Sequence, residues 1–157
     1  MEEINKFIQF INNLVDDEFC NYIDNLDSRY YFLHGGCLEF AKVLKHFIPA
    51  STYMINSSLG HVAIKIEDTV YDATGIINNN EFVHLKDEEL YLIEDIYGIK
   101  EIKFDDMVVH KAIINELYSC SGDYVSKLVA SINKKIYNNQ YILKKQFKYK
   151  KSIAKRI

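Results

Sequence analysis

The sequence is poor in several features that mark large protein classes. It has one proline, six glycines and no tryptophan in 157 residues, which excludes collagen-like and low-complexity chains. Its three cysteines are an odd number without the spacing of a disulfide framework, which indicates a reducing compartment. No apolar run approaches the roughly 20 residues of a membrane-spanning helix, and the acidic N-terminus lacks a secretory signal. We therefore expect a cytoplasmic protein with no membrane partner.

What the chain does contain is typical of one folded domain. Hydrophobic residues make up 48% and charged residues 26%, both close to the averages of globular proteins. A chain of this length can bury roughly two-thirds of its surface without a disulfide or a metal. No repeat or linker interrupts the sequence. We predict a single domain over residues 1–157, with a core at 30–104 and a helical C-terminal region at 105–157.

Charge is distributed unevenly along the chain. The net charge is −3, but residues 1–27 contain seven acids against Lys6 alone. The last segment has the opposite composition, with no acid among Lys144, Lys145, Lys148, Lys150, Lys151, Lys155 and Arg156. A basic terminal helix can bind an acidic protein, the acidic N-terminal helix or nucleic acid, although solvated helix faces of this kind are common. We expect an acidic partner at this basic helix, and we disfavour nucleic acid because the overall charge is negative.

Hydrophobic spacing predicts an α+β fold. Steps of three and four residues indicate helices at 3–15, 17–26, 37–48, 87–97, 105–119, 123–137 and 139–156. β-branched and alternating segments indicate strands at 51–55, 61–66, 69–72, 81–85 and 99–104, with a loop at 75–80. Asp87, Asp105 and Asp123 are the predicted N-caps, and Gly98 is a predicted helix end. We expect a small antiparallel sheet with the 37–48 helix packed on it, plus additional N- and C-terminal helices.

The turn at Glu67-Asp68 decides which side chains share a face of the sheet. If these two residues form the hairpin loop, Ala63 pairs with Asp72. Side chains alternate along a strand, so His61 then lies on the same face as Asp72, one diagonal step away. A loop one residue longer would send the aspartate to the opposite face. The two-residue turn therefore predicts a His61–Asp72 contact.

Cys37 follows a glycine pair at the predicted start of a helix. The thiolate is the nucleophilic form of cysteine, and both a helix N-terminus and a nearby imidazolium favour it. In such a site His61 would be the general base, and Asp72 would fix the tautomer and orientation of the imidazole. These three residues are our candidate catalytic group.

Residues next to Cys37 are candidates for holding the substrate. The backbone N–H of Cys37 is a natural donor to an oxyanion, and Gly36 leaves room for a carbonyl group to approach. A second donor is open among Tyr30, Tyr31 and His34, all just upstream of the cysteine. Their spacing does not choose between them.

Three stretches carry a resemblance to a known superfamily. They are His-Gly-Gly-Cys at 34–37, Gly-His-Val-Ala-Ile-Lys-Ile at 60–66 and Val-Tyr-Asp-Ala-Thr-Gly at 70–75. Together they resemble the papain-like (NlpC-like and transglutaminase-like) cysteine peptidase superfamily, and also small phage and bacterial proteins. In that superfamily the nucleophilic cysteine begins a helix packed on an antiparallel sheet, the histidine opens a strand, and an aspartate or asparagine orients it.

The resemblance implies a reaction class and leaves the substrate open. It implies a thiol-dependent hydrolase or acyltransferase that acts on an amide, isopeptide or thioester bond of a protein or peptide-like substrate. The reaction would pass through an acyl-cysteine intermediate and need no cofactor and no metal. The chain departs from papain itself because it has no glutamine upstream of Cys37. The helices after Gly98 match no catalytic subfamily.

Three alternatives use the same residues differently. Cysteines are often small buried hydrophobes, and Asp72 can be a turn residue. A zinc site can be drawn from His34, Cys37, His61 and Asp72, although structural zinc sites favour paired cysteines. The third alternative keeps the fold without catalysis: a phage or mobile-element protein that binds and inhibits a host factor.

Overall fold

The structure is a computed structural model, and it describes residues 1–120 and 122–154, with the backbone alone at 149, 150 and 152–154. The helices are α1 (Glu2–Glu18), α2 (Ser28–Leu33), α3 (Cys37–Phe47), α4 (Leu90–Tyr97), α5 (Val109–Cys120) and α6 (Asp123–Ala154). A short 3-10 helix, Asp87–Glu89, precedes α4. The strands are β1 (Thr52–Asn56), β2 (His61–Ile66), β3 (Thr69–Asp72), β4 (Gly75–Ile77), β5 (Phe82–Leu85), β6 (Lys103–Phe104) and β7 (Met107–Val108). The predicted α+β class is confirmed.

Five strands form one antiparallel sheet in the order β4-β3-β2-β1-β5. Helix α3 packs on β1, β2 and β3. Along β2, Val62, Ile64 and Ile66 belong to the main core, whereas Ala63 belongs to a smaller cluster with Met54 and Val70. This alternation is what a strand with period two requires. His61 lies at the start of β2, on the same face of the sheet as Ala63.

The turn between β2 and β3 has two residues, as predicted. Ile66 pairs with Thr69, and Glu67 takes the left-handed conformation with φ of 55° that a tight hairpin turn demands. The register continues through Ile64 and Tyr71. The turn thereby directs Asp72 to the face of His61.

Helix α1 closes the core from the other side of α3. Its apolar stripe is fully buried, with Phe7 and Ile11 both inaccessible to solvent. The ring of Phe7 meets that of Phe47 edge-on, with 5.4 Å between ring centroids. Helix α1 also contacts α2, α5, α6 and β4. Helix α1 therefore connects α5 and α6 to the core that contains α3.

Several predicted boundaries near the N-terminal half were wrong. Residues 19–25 form turns instead of a helix, and the helix lies in the aromatic segment Ser28–Leu33, capped by Asp27. The predicted loop at 75–80 begins with strand β4. Gly75, with φ of 107°, lets the chain reverse directly after Asp72 and pair Asp72 with Gly75. Local sequence did not reveal this reversal because it depends on pairing with β3.

The predictions after residue 86 were also partly wrong. Residues 87–97 form a 3-10 turn followed by α4, with Gly98 ending the helix in the left-handed conformation as predicted. The strand predicted at 99–104 shrinks to β6, and Asp105 lies in the β6–β7 turn with φ of 53° instead of capping a helix. Helix α5 therefore begins at Val109.

The two helices predicted at 123–137 and 139–156 are one continuous helix, α6. The predicted break at residue 138 does not occur, and Asn139 donates a hydrogen bond of 2.8 Å to the Glu67 side chain. Lys155 and Arg156 of the predicted basic segment lie outside the described residues, as does the side chain of Lys150. Within the described part of the chain, no helix is both long enough and apolar enough to cross a membrane.

Candidate active site

Gly36 packs tightly against Tyr31 at the start of helix α3. Gly36 is the N-cap, and its N–H donates to the carbonyl oxygen of Tyr31 at 3.1 Å. A β-carbon at Gly36 would lie 2.9 Å from Cε1 of Tyr31, which is closer than packed atoms approach. Only glycine fits against that ring. Cys37 follows it as the first residue of the helix. The N–H of Cys37 is then one of the groups that a helix leaves without an internal partner.

His61 and Asp72 form the contact that the hairpin predicted. Nε2 of His61 lies 3.0 Å from Oδ2 of Asp72. The other carboxylate oxygen of Asp72 accepts hydrogen bonds from the backbone N–H and the hydroxyl of Thr74, at 2.8 and 2.6 Å. Burial raises the pKa of Asp72, but the bonds from His61 and Thr74 outweigh it and hold that pKa below its usual value. Asp72 is therefore an oriented carboxylate that stays ionised.

His61 lies between this carboxylate and the thiol of Cys37. A hydrogen bond to Asp72 and a second to Cys37 raise the pKa of His61 to about 9, against the opposing effect of burial. Because Nε2 contacts Asp72, Nδ1 is the ring nitrogen that is left for the thiol. The imidazole is consequently protonated at neutral pH, and an imidazolium beside a sulfur favours the thiolate.

The sulfur of Cys37 is buried and also contacted by the backbone. Cys37 is 6% exposed, and the N–H of Val62 points at its Sγ from 3.5 Å. This donor, the imidazolium of His61 and the N-terminus of α3 all place positive partial charge around the sulfur. The structure thus brings together the three predicted residues and adds one backbone donor that the sequence does not reveal.

The candidate substrate-binding residues occupy different environments. The hydroxyl of Tyr31 is buried without a hydrogen-bond partner in the described residues, and burial together with Glu39 raises the pKa of Tyr31 to about 12. His34 is exposed and turned back on α2, with Nδ1 at 2.8 Å from the carbonyl oxygen of Tyr30 and its ring stacked on that of Tyr30. Gly36 already donates its N–H to Tyr31. The N–H of Cys37 and the unpartnered hydroxyl of Tyr31 are therefore the candidate donors that remain.

Asn12 and Thr74, which are not among the predicted site residues, hold the loop that follows Asp72. Asn12 of α1 is fully buried, donates to the carbonyl oxygen of Ala73 at 2.8 Å and accepts from the hydroxyl of Ser28. Thr74 closes a turn on Asp72, as described above. The Asp-x-Thr spacing is a recognised turn signal, and Asn12 interrupts the apolar stripe of α1. Both signals were present in the sequence.

Glu39 and His110 form a second carboxylate–imidazole contact, on the helix that begins with Cys37. Glu39 is completely buried on α3, and Oε2 accepts hydrogen bonds from the backbone N–H and from Nδ1 of His110, at 2.9 and 2.6 Å. Oε1 receives a longer bond from the N–H of Ile102. Burial raises the pKa of Glu39, yet the bonds from His110 hold it below its usual value. No local pattern in the sequence reveals this contact, because Glu39 and His110 are 71 residues apart.

Aromatic side chains flank the site on the side of His61. The ring centroid of Phe82 lies 6.1 Å from that of His61, and a β-carbon at Gly60 would lie 3.3 Å from the ring of Tyr97. Phe82 belongs to β5 and Tyr97 to α4, so side chains of two separate elements pack near the start of β2. A substrate that reaches Cys37 would pass beside apolar surface.

The residues drawn together as a zinc site do not assemble as one in the described part of the chain. His34 is held by Tyr30, away from the His61–Asp72 contact. Across residues 1–120 and 122–154, no three or more His, Cys, Asp or Glu side chains gather as metal ligands.

Comparison with known proteins adds a family to this geometry. No curated protein and no solved structure matches the chain. A family model described as Phage YunG-like protein matches residues 7–114, which is 108 of the 157 residues. The matched segment contains Cys37, His61, Asp72 and the Glu39–His110 contact, and it ends before α6. On this match, the chain belongs to the phage YunG-like protein family.

Proposed function

We propose that this protein is a thiol-dependent hydrolase or acyltransferase of papain-like type, acting on an amide, isopeptide or thioester carbonyl. One observation carries the proposal: His61 contacts Cys37 on one side and the ionised carboxylate of Asp72 on the other. A cysteine that begins a helix, a histidine that begins a strand and an aspartate on the next strand are also the arrangement expected of that superfamily. The resemblance implies a protein or peptide-like substrate.

In the proposed reaction, the thiolate of Cys37 attacks the carbonyl carbon and forms a C–S bond. The negative charge that develops on the carbonyl oxygen is met by the N–H of Cys37. The imidazolium of His61 then gives its proton to the leaving nitrogen or sulfur as the original acyl bond breaks. The products of this half-reaction are an acyl-Cys37 thioester, the protonated leaving group and a neutral imidazole.

The second half-reaction returns the site to its starting state. Neutral His61 removes a proton from water or from an amine, and the oxygen or nitrogen attacks the thioester. The Cys37 sulfur leaves as thiolate, and His61 keeps the proton as imidazolium. Asp72 stabilises the imidazolium throughout and holds the ring in the tautomer that directs Nδ1 to the sulfur.

Alkylation of the three cysteines tests whether the thiol is activated. Exposure alone would rank Cys120 first, Cys20 second and Cys37 last, since they are exposed, intermediate and buried respectively. Desolvation and the nearby Glu116 also raise the pKa of Cys120, which slows its reaction. We expect iodoacetamide at neutral pH to modify Cys37 first, as measured by peptide mass spectrometry over time.

A matched variant makes the labelling result specific. His61→Ala removes the imidazolium and should slow the labelling of Cys37 by at least roughly tenfold, because the nucleophile loses its activating partner. His84→Ala is the control, because His84 is an exposed histidine on β5, and it should leave the order of labelling unchanged. Labelling in the order of exposure in the unmodified protein would contradict an activated Cys37.

The alternative is a catalytically inactive protein of the same fold that inhibits a host factor. The exposed apolar and basic residues of α6 favour it, because catalysis at Cys37 does not require them. Under this alternative, Cys37→Ala would retain the biological effect, whereas reversing the charge of Lys144, Lys145 and Lys148 would abolish it. The opposite pair of results supports the enzyme.

A further inference from the structure

The second half of α6 exposes an unusual amount of apolar surface. Over residues 137–148, which we call the α6 surface, five large apolar side chains are at least half exposed: Tyr137 68%, Tyr141 50%, Ile142 52%, Leu143 61% and Phe147 69%. The first half of the same helix is different, since Val125, Ile132 and Ile136 are buried in the core. At about 100° per residue, Leu143, Phe147, Tyr137 and Tyr141 share one half of the helix surface, whereas Ile142 lies on the other half. An exposed apolar face of this kind marks an interaction site more often than an accident of composition.

Charge is separated between α6 and the rest of the protein. Residues 124–157 contain ten Lys or Arg and no Asp or Glu, a charge of +10. Residues 1–123 contain the other nine basic residues and all 22 acids, a charge of −13, and the two parts sum to the net −3. Opposite charges on two parts of one chain favour binding between the helix of one molecule and the body of another.

A groove beside the α6 surface has one acidic wall and one wall of apolar and uncharged polar side chains. Its volume is about 600 Å³, and its walls are the β2–β3 hairpin and α6. Glu67, Asp68 and Thr69 form the hairpin wall, while Ile142, Leu143 and Gln146 form the helix wall. Asp68 is fully exposed, and its nearest cation is Lys65 at 3.9 Å. The groove therefore places the acidic hairpin beside α6, and Lys144, Lys145 and Lys148 are not among its lining residues.

We propose that two copies of this chain associate through these surfaces, with the α6 surface of each copy against the acidic hairpin wall of the other. A two-fold axis makes such a contact self-complementary: the apolar residues of the two helices are buried together, and each lysine cluster faces the partner's hairpin. Nucleic acid and anionic membranes are less suitable occupants, because the body of charge −13 beside the helix repels both.

The experiment is sedimentation velocity of the full-length protein over a dilution series in the micromolar range. We expect a concentration-dependent dimer that weakens with added salt. Leu143→Asp should raise the dissociation constant by at least roughly tenfold, since it places a charge in the buried apolar contact. Ile96→Asp on α4 is the matched control, because Ile96 is similarly exposed, and it should leave the dimer intact.

A charge exchange separates self-association from other partners. Lys144→Glu with Lys145→Glu should weaken the dimer, and so should Asp68→Lys. Combining the three changes should restore it at least in part, because the opposed charges are exchanged. Glu67 stays unchanged, because its carboxylate accepts a hydrogen bond from Asn139 of its own α6. A monomer at all concentrations, a combined variant no better than the single sets, or binding of the monomer to vesicles of anionic phospholipid would each overturn the proposal.

These results are independent of catalysis. The same measurements on the Cys37→Ala variant should give the same dimer, so loss of enzyme activity would not affect this conclusion. Conversely, a monomeric protein with a rapidly labelled Cys37 would reject the dimer and leave the proposed function standing.

Discussion

Two regions of this protein place polar and apolar side chains in opposite environments. Around the start of α3, charged side chains are buried and matched: Glu39 meets three donors, and Asp72 meets His61 and Thr74. In the second half of α6, large apolar side chains lie in solvent among lysines. The matched family segment, residues 7–114, covers the first region and stops before the second. The buried charges therefore lie within the matched family segment, whereas the exposed half of α6 lies outside it.

If this contrast is correct, the largest loss of stability should come from the buried carboxylate of Glu39. Glu39→Ala leaves His110 and two backbone donors without an acceptor in the core, so we expect the free energy of unfolding to fall by about 3–5 kcal/mol. Chemical denaturation measures it. Glu94→Ala, an exposed acid on α4, is the control. An equal, small effect of both changes would show that Glu39 does not join α3 to α5.

A smaller but still large effect is expected at Gly36. The methyl group of Gly36→Ala must displace the Tyr31 ring, so we expect a loss of about 1–3 kcal/mol from overpacking. The displacement should also slow alkylation of Cys37, because the helix start moves relative to His61. The variant Tyr31→Leu, combined with Gly36→Ala, should recover part of the stability by removing the clashing ring atoms. No recovery would mean that the ring is not the cause.

The pH dependence of stability should report the protonated His61. Its pKa is about 9 in the folded protein and 6.5 for an unperturbed histidine, so the folded state binds the extra proton between these values. The stabilisation is complete below pH of about 6.5 and is lost as pH rises through about 9. Denaturation midpoints at several pH values in this window measure the slope.

Asp72→Asn isolates the carboxylate as the main cause of that slope. Without the negative charge, the pKa of His61 should fall towards its ordinary value, and most of the loss of stability between pH of about 6.5 and 9 should disappear. Cys37→Ala keeps the His61–Asp72 contact and should keep most of the slope. A slope that survives Asp72→Asn but not Cys37→Ala would assign the proton to the thiol contact instead.

The smallest effect is expected on the α6 surface. Tyr141→Ala and Phe147→Ala remove side chains that make little contact within one molecule, so the stability of the monomer should change by no more than about 0.5 kcal/mol. Thermal unfolding at protein concentrations below the dimer dissociation constant measures it. A loss comparable to that of Gly36→Ala would show that these residues pack within the monomer, and the contrast between the two regions would fail.

Local patterns were sufficient to predict much of the structure around Cys37. The apolar spacing of residues 37–48, the β-branched run at 61–66 and the two-residue turn at Glu67-Asp68 are all short-range signals, and each predicted element was found. Period-two alternation then fixed the shared face of His61 and Asp72. The catalytic roles of these residues stay predictions.

Longer-range features were not predicted because no local pattern encodes them. Glu39 looks like an ordinary helical glutamate until α5, some 70 residues later, brings His110 against it. The strand at Gly75–Ile77 exists because β3 offers it an edge, and helix α6 continues past residue 138, where Asn139 bonds to Glu67. The partners of Glu39 and Asn139 are distant in sequence, whereas β4 pairs with the neighbouring strand β3. In each case the free energy of the contact decides the conformation.

The sequence by itself determined the α+β class, the elements that carry Cys37, His61 and Asp72, and the opposite charges of the body and the last helix, because periodicity and composition are local or additive properties. Only the tertiary structure decided that His61 is held between thiol and carboxylate with a raised pKa, and that Glu39 is a buried anchor. It also decided which half of α6 is left in solvent. Those properties depend on burial and on distances between segments far apart in the chain, and desolvation and hydrogen bonding act only once the segments have met.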